Sequence, residues 1–173
     1  DKIQIPVSMH PFLVSRIKTM AELDIAERKH PQSGQVTVKT PTKIVDMHFS
    51  TLPTVNGEKI VIKIFDRNAP IKDVSEIGLS GLQLARVRQL TEKPHGCLLV
   101  TGPSGSGKTG TLYSIINQNA TPHKNYITVE NCVTYHMSRA QQVAVKDKTG
   151  LTFPVVLKEV LKQDCDVIMV GEI

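Results

Sequence analysis

Apolar residues recur at helical spacing near the start of the chain, where Leu13, Ile17, Met20 and Ala21 would share one side of a short helix. Beyond them the period changes to two. Val36 and Val38, then Val45, Met47 and Phe49, then Ile60, Ile62 and Ile64 alternate with their neighbours, which predicts half-buried strands. Asn56-Gly57 lies between the last two runs and marks a hairpin, because both residues tolerate positive φ. Residues 1–66 therefore read as a small α+β domain with an antiparallel sheet. Residues 67–79, with Pro70 and mixed charge, read as a linker.

From residue 80 onward strands and helices alternate, the sign of a parallel α/β sheet. Ser80 and Gln83 form a capping box that opens a helix to about Thr91. The continuous apolar run 97–101 (Cys-Leu-Leu-Val-Thr) predicts a strand buried on both faces. A glycine-rich turn follows, then a helix with Leu112, Ile115 and Ile116 inward. Residues 126–129 predict a second strand, 154–162 a helix with Val156, Leu157, Val160 and Leu161 on one side, and 167–170 a third strand. No internal repeat is present.

Composition narrows the classes. The 173 residues are 40% hydrophobic and 21% charged, an ordinary globular balance that excludes a disordered tail or a low-complexity scaffold. The net charge of +5 is spread evenly, with 11 basic against 9 acidic residues up to Ser80 and 10 against 7 after it. There is no polybasic arm, and with 4% aromatics and no Trp there are few stacking platforms, so no nucleic acid is expected as partner. Cys97, Cys132 and Cys165 are odd in number and far apart, unlike a disulfide framework or a zinc knuckle, and fit a reducing cytoplasm. Cys132 and His136 are too few to hold a metal, and Lys146-Asp147-Lys148 reads as a solvated loop. No apolar stretch approaches the length of a transmembrane segment. The chain starts at Asp1 without an initiator Met and stops at Ile173 directly behind an apolar run, so a fragment is expected.

The chemistry concentrates in Gly102-Pro103-Ser104-Gly105-Ser106-Gly107-Lys108-Thr109, which matches the phosphate-loop pattern G-x-x-x-x-G-K-[ST] at every fixed position. Its flanks, an apolar run before and an amphipathic helix after, are those the pattern requires. Glycines at 102, 105 and 107 let consecutive N–H groups point inward at phosphate oxygens, and the helix N-terminus adds its partial positive charge. Lys108 would reach the β- and γ-phosphates of a bound nucleotide, and the Thr109 hydroxyl would ligate Mg²⁺. Gly102, Ser104, Gly105, Ser106, Gly107, Lys108, Thr109 and Gly110 are the expected nucleotide-binding residues.

Two carboxylates accompany the loop. Asp166-Val167-Ile168-Met169-Val170-Gly171-Glu172 describes a strand running to an acidic residue, expected beside the phosphate-loop strand, and Glu172 is the candidate for positioning the attacking water. Glu130 ends the strand 126–129 at the C-terminal sheet edge where ligands of open α/β sheets bind. It would assist through metal-bound water, or else be an ordinary solvated strand-end carboxylate.

At this point a family comes into view. The segment 16–28 (Arg-Ile-Lys-Thr-Met-Ala-Glu-Leu-Asp-Ile-Ala-Glu-Arg) resembles the opening of the N-terminal PAS-like domain of the assembly ATPases of type II secretion systems and type IV pili. Residues 95–103 and 161–173 resemble the approaches to that family's two nucleotide motifs. The resemblance implies a small PAS-like α+β domain before a RecA-like P-loop NTPase core, here cut after the strand that carries Glu172, with 80–173 as its first half. It implies a homo-hexamer at the cytoplasmic face of the inner membrane, bound to platform and membrane-anchoring proteins. Its work is ATP hydrolysis that drives pilin-like subunits out of the membrane, each small domain packing on a neighbour's RecA-like domain.

Departures from the family pattern matter as well. The family's acidic motif Glu-Asp-Pro-Val-Glu stands here as Glu130-Asn131-Cys132-Val133-Thr134, so Thr134 replaces the Glu considered catalytic. Gln35 and His48 stand where the family offers arginines to the γ-phosphate, and Lys63 replaces another frequent Arg, keeping charge but losing the bidentate fork. The alternative function is thus a degenerate paralogue that binds nucleotide, hydrolyses it weakly and serves as a structural or regulatory ring subunit. A nucleotide kinase or GTPase is disfavoured, since no guanine-specifying motif is visible. As half of a core, the isolated chain is expected to be less stable than its length suggests.

Overall fold

Residues 3–146 and 149–173 are described by the structure, a computed structural model, and they fall into two units, Asp1–Asn68 and Ala69–Ile173. Of the expected loop Lys146-Asp147-Lys148, Asp147 and Lys148 lie outside the described residues, and Lys146 bridges to Leu151.

In the first unit a 3-10 turn, Val7–Met9, leads into α1 (His10–Met20), where Pro11 sits in the first turn and its missing N–H removes no helical bond. The buried side of α1 is shifted from the predicted stripe. Val14 and Lys18 are buried, whereas Leu13 and Met20 are 36% and 45% exposed. The reason is an ion pair that apolar spacing cannot reveal. Lys18 is fully buried, its Nζ donating to the Glu27 carbonyl at 2.6 Å and lying 2.5 Å from Glu58 Oε1.

Strands β1 (Gln32–Lys39), β2 (Ile44–Thr54) and β3 (Gly57–Asp66) form an antiparallel sheet in that order. The β2–β3 turn is Val55-Asn56, with Thr54 facing Gly57, so Gly57 opens β3 instead of completing the turn as Asn56-Gly57 predicts. Its φ of +113° still explains the glycine. Ala21, Leu23 and Phe49 form the core, with Ile17, Val36 and Met47 against them. Gly34 permits this packing, because a Cβ there would come within 2.5 Å of the Ala21 carbonyl. Across the sheet Gln35 pairs with His48 and His48 with Lys63, one rung containing all three departures noted for this half.

The second unit begins with a 3-10 turn, Val74–Glu76, within the residues read as linker, and Val74 is fully buried. Helix α2 (Gly81–Thr91) opens with the expected box: Ser80 Oγ accepts from the Gln83 amide at 3.4 Å, and Gln83 Oε1 accepts from the Ser80 amide at 2.9 Å. Then follow α3 (Lys108–Asn119), β4 (Tyr126–Glu130), β5 (Gln141–Ala144), α4 (Phe153–Val160) and β6 (Val167–Val170). The sheet is parallel, in the order β5-β4-β6. All five residues of β4 are buried. One face packs Tyr126 and Met169 against Tyr113, Ile116 and Ala120, and the other packs Ile127 and Val129 against Val156 and Val160, giving helix, sheet and helix layers.

Three sequence expectations change here. Residues 97–101 form no strand; Leu98 and Leu99 are 42% and 67% exposed. An apolar run becomes a buried strand only beside a neighbour that pairs its amides and carbonyls, and the sheet of described residues offers it none. Consequently β6 pairs with β4 and does not lie beside a phosphate-loop strand. Strand β5, Gln-Gln-Val-Ala, went unpredicted because it carries no apolar run, and Leu161, expected inward, caps α4 at 72% exposed.

Candidate functional site

The direction of α3 fixes the geometry of the site. Near its start the Tyr113 hydroxyl donates to the Glu130 carboxylate at 2.8 and 2.7 Å, and near its end the Asn119 carbonyl accepts from the Tyr126 hydroxyl. Glu130 closes β4 and Tyr126 opens it, so α3 runs antiparallel to β4 and sets its N-terminus at the C-terminal edge of the sheet. That end carries unpaired helical N–H groups and the positive pole of the helix dipole, which favour an anion.

The loop at this pole is exposed from Gly102 to Gly107. Gly105 and Gly107 have φ of +76° and +91°, conformations that an L side chain rarely adopts. Gly102 admits the turn, since a Cβ there would lie 2.7 Å from Ser106 Oγ. Ser106 Oγ donates to the Pro103 carbonyl at 2.8 Å, and Lys108 Nζ donates to the Gly102 and Pro103 carbonyls at 2.8 and 2.9 Å. The lysine thus curls over its own loop and holds it in an arc. Ser104 sits at the exposed crest, Gly110 lies in the first turn of α3 with open space around it, and the Thr109 hydroxyl has no hydrogen bond among the described residues. A glycine-rich loop at a helix N-terminus, one ammonium and one hydroxyl without a partner among the described residues are a donor set that fits a polyphosphate with a hard divalent cation.

The two candidate carboxylates sit differently. Glu172 is exposed, two residues past β6, and accepts from Asn131 Nδ2 just past β4, so it lies on the same sheet edge as the loop's helix terminus. Glu130 is 2% exposed, which overturns its reading as a solvated strand-end group. Besides Tyr113 it accepts from Thr128 Oγ1 at 2.7 Å, and burial pushes its carboxyl above the usual carboxylate range against the opposing pull of those bonds. The Tyr113 hydroxyl in turn accepts from Gln142 Nε2 at 3.1 Å, and burial together with the Glu130 carboxylate drives its acidity far down. Tyr113 and Gln142 went unremarked in the sequence, where a helical tyrosine reads as core. A cleft of about 480 Å³ lined by Lys124, Asn125, Arg139 and Asp166 opens at the opposite edge, where β4 begins.

Comparison with known proteins follows this geometry. A family model described as "Type II/IV secretion system protein" matches residues 1–173. The chain is 41% identical over 167 residues to the type II secretion system protein E of Xanthomonas campestris pv. campestris, covering 96% of this chain and 30% of that protein. Over 162 residues it is 44% identical to the type II secretion system protein E of Pseudomonas aeruginosa and 40% identical to the type II secretion system ATPase E of Vibrio cholerae. Each of these two comparisons covers 94% of this chain and 32% of the relative, so the chain spans about a third of the length of the curated relatives it matches. Among solved structures, the ATPase DotB of Legionella pneumophila superposes with a TM-score of 0.65 at 16% identity, over 98% of this chain and 48% of that one. The fold is therefore mixed α/β of the kind found in that ATPase.

Proposed function

The chain belongs to the type II/IV secretion system protein family, and we propose that it is the nucleotide-gripping part of an ATPase motor for type II secretion or type IV pilus assembly. The observation that carries this reading is the placement of Lys108 and the exposed loop at the N-terminus of α3, on the sheet edge that also bears Glu172. In the mechanism we propose, ATP would lie on the loop amides from Gly105 to Thr109, Lys108 would leave the Gly102 and Pro103 carbonyls for the β- and γ-phosphates, and Thr109 would hold Mg²⁺. That cation supplies charge neutralisation during in-line attack. Glu172, steadied by Asn131, would orient the attacking water.

Residues 1–66 fit a PAS-like domain and 80–173 the first half of a RecA-like core, joined by 67–79. The proposed assembly is a hexamer on the cytoplasmic side of the inner membrane, held by platform and anchoring proteins. Among the described residues no helix is long and apolar enough to cross a membrane. The test is binding of a fluorescent ATP analogue with Mg²⁺ to this chain. Lys108→Ala should abolish saturable binding, and equal affinity in that variant would refute the reading.

A second reading, a nucleotide-binding but weakly hydrolysing ring subunit, is favoured by one observation. The rung Gln35, His48, Lys63 contains no arginine, and desolvation lowers the His48 pKa, so at neutral pH Lys63 supplies its one positive charge. Restoring Arg at 35 and 48 and Glu at 134 in the protein should raise ATP turnover under this reading; unchanged turnover would remove it.

A further inference from the structure

The Tyr113, Glu130 and Gln142 cluster is buried, polar and unused by the chemistry proposed above. Tyr113 is fully buried and Glu130 2% exposed, and two links cross between elements: Tyr113 on α3 donates to Glu130 on β4, and Gln142 on β5 donates to Tyr113, while Thr128 braces Glu130 from within β4. Gln142 also donates to the Tyr135 carbonyl at 2.9 Å, which ties the loop after β4 to the same point. Beyond β6 the chain is pressed against the methylenes of the Glu130 side chain. A Cβ on Gly171 would lie 3.0 Å from Glu130 Cγ, and the Gly171 amide donates to the Val129 carbonyl at 2.8 Å. The residue that follows is Glu172.

We propose that Tyr113 and Glu130 are positioning residues, a buried pin that sets the phosphate-loop helix against the turn presenting Glu172, and that Glu130 acts through this pin without touching nucleotide. The geometry leaves Glu130 little else to do. Tyr113 lies five residues into α3, roughly 7.5 Å along the axis from Lys108, so a tilt of the helix moves loop and tyrosine together. A side chain bonded on both carboxylate oxygens, with Gly171 against its methylenes, transmits that tilt to the β6 end, because buried polar groups are held by their partners and not by solvent. The charged and titratable groups facing it are Tyr113 from α3 and His136 from the loop after β4, with Thr128 and Gln142 as its neutral partners.

The inference rests on the nucleotide reading, and the test separates the two. In the 173-residue chain, Tyr113→Phe keeps the ring and removes the hydroxyl. Hydrogen exchange at Gly171 and Glu172, which needs no nucleotide, should accelerate about tenfold, part of what losing a hydrogen bond to a buried carboxylate can release. Binding of the fluorescent ATP analogue with Mg²⁺ should weaken in step. Its acid limb should move to higher pH, since the lost donor favoured the charged form of Glu130, and the same displacement should appear in a His136→Gln background, where the facing imidazole is absent. Glu130→Gln combined with Tyr113→Phe should add little to either single change, as expected for one pin. Thr128→Val, which conserves shape, should move the acid limb the same way if Tyr113→Phe folds poorly. Wild-type exchange and an unmoved acid limb in Tyr113→Phe and Thr128→Val would overturn the pin while leaving nucleotide binding intact. Unaltered binding in Lys108→Ala would instead refute the nucleotide reading, and the exchange measurement would still decide the pin.

Discussion

Replacing Glu58 by Ala strands a buried ammonium. Lys18 is fully buried in α1, and its Nζ has two partners, Glu58 Oε1 at 2.5 Å and the Glu27 carbonyl at 2.6 Å. Breaking a buried ion pair from one side costs ~3–5 kcal/mol, because the surviving charge stays out of water. Two features place this site at the lower end. The Glu58 side chain is 9% exposed beside the β2–β3 turn, and the Glu27 carbonyl remains as acceptor. A loss of about 3 kcal/mol raises the opening constant about 10²-fold. The assay is hydrogen exchange in peptides from α1 and the β2–β3 hairpin. Tyrosine fluorescence serves as an internal control, since Tyr113, Tyr126 and Tyr135 all belong to the second unit and should report an unchanged urea transition. Lys18→Met with Glu58→Leu removes both charges and should restore protection to within ~1 kcal/mol of wild type, as paired buried charges exchange for apolar groups at small net cost. Wild-type protection in Glu58→Ala, or a double variant worse than either single one, would refute the argument.

Two further outcomes are expected. Gly107→Ala places a Cβ at φ +91° with nothing to contact, so its cost is conformational, roughly 1–2 kcal/mol, and it should weaken binding of the ATP analogue about tenfold while leaving the tyrosine transition in place; undiminished affinity would count against the loop geometry. His30, chiefly through its side-chain hydrogen bond, holds the exposed Glu27 carboxyl down at about 2 from an ordinary 4.5. A depressed carboxyl contributes stability above pH 4.5 that is lost as pH falls toward about 2, so carbon-detected NMR titration should show Glu27 returning toward 4.5 in His30→Ala.

Local chemistry was readable from the chain wherever it depends on neighbours in sequence. The Ser80–Gln83 box, the strands β1 to β3 and strand β4 follow from capping, period-two runs and a short apolar run, and the positive-φ turn of the 102–107 loop follows from glycine spacing, whereas the exposure of Ile62 and Ile64 on β3 and the burial of Glu130 do not. What depended on distant partners was not readable. Residues 97–101 are as apolar as a buried strand, yet strand identity belongs to the pair, and among the described residues no partner strand is at hand. The face of α1 turned because Lys18 meets Glu58, forty residues away in sequence, and an ion pair has no periodicity. The same holds for the candidate site. Lys108, Thr109 and Glu172 were placed from motif and strand end, whereas Tyr113 and Gln142 declare themselves only when α3 and β5 meet Glu130.

The outer side of β6 has a bearing on how the chain behaves in solution. Val167-Ile168-Met169-Val170 pairs on one side with β4, and its other side carries a row of amides and carbonyls that meets no strand among the described residues. Such a row is a template for foreign strands, and β6 has none of the lysines or prolines that commonly blunt an edge. Its guards are the acidic residues at either end, Asp166 and Glu172, whose like charges oppose the approach of a second copy. The carboxylate proposed for water chemistry therefore also acts as a colloidal safeguard, and replacing it together with Asp166 by neutral residues would invite the chains to stick to one another.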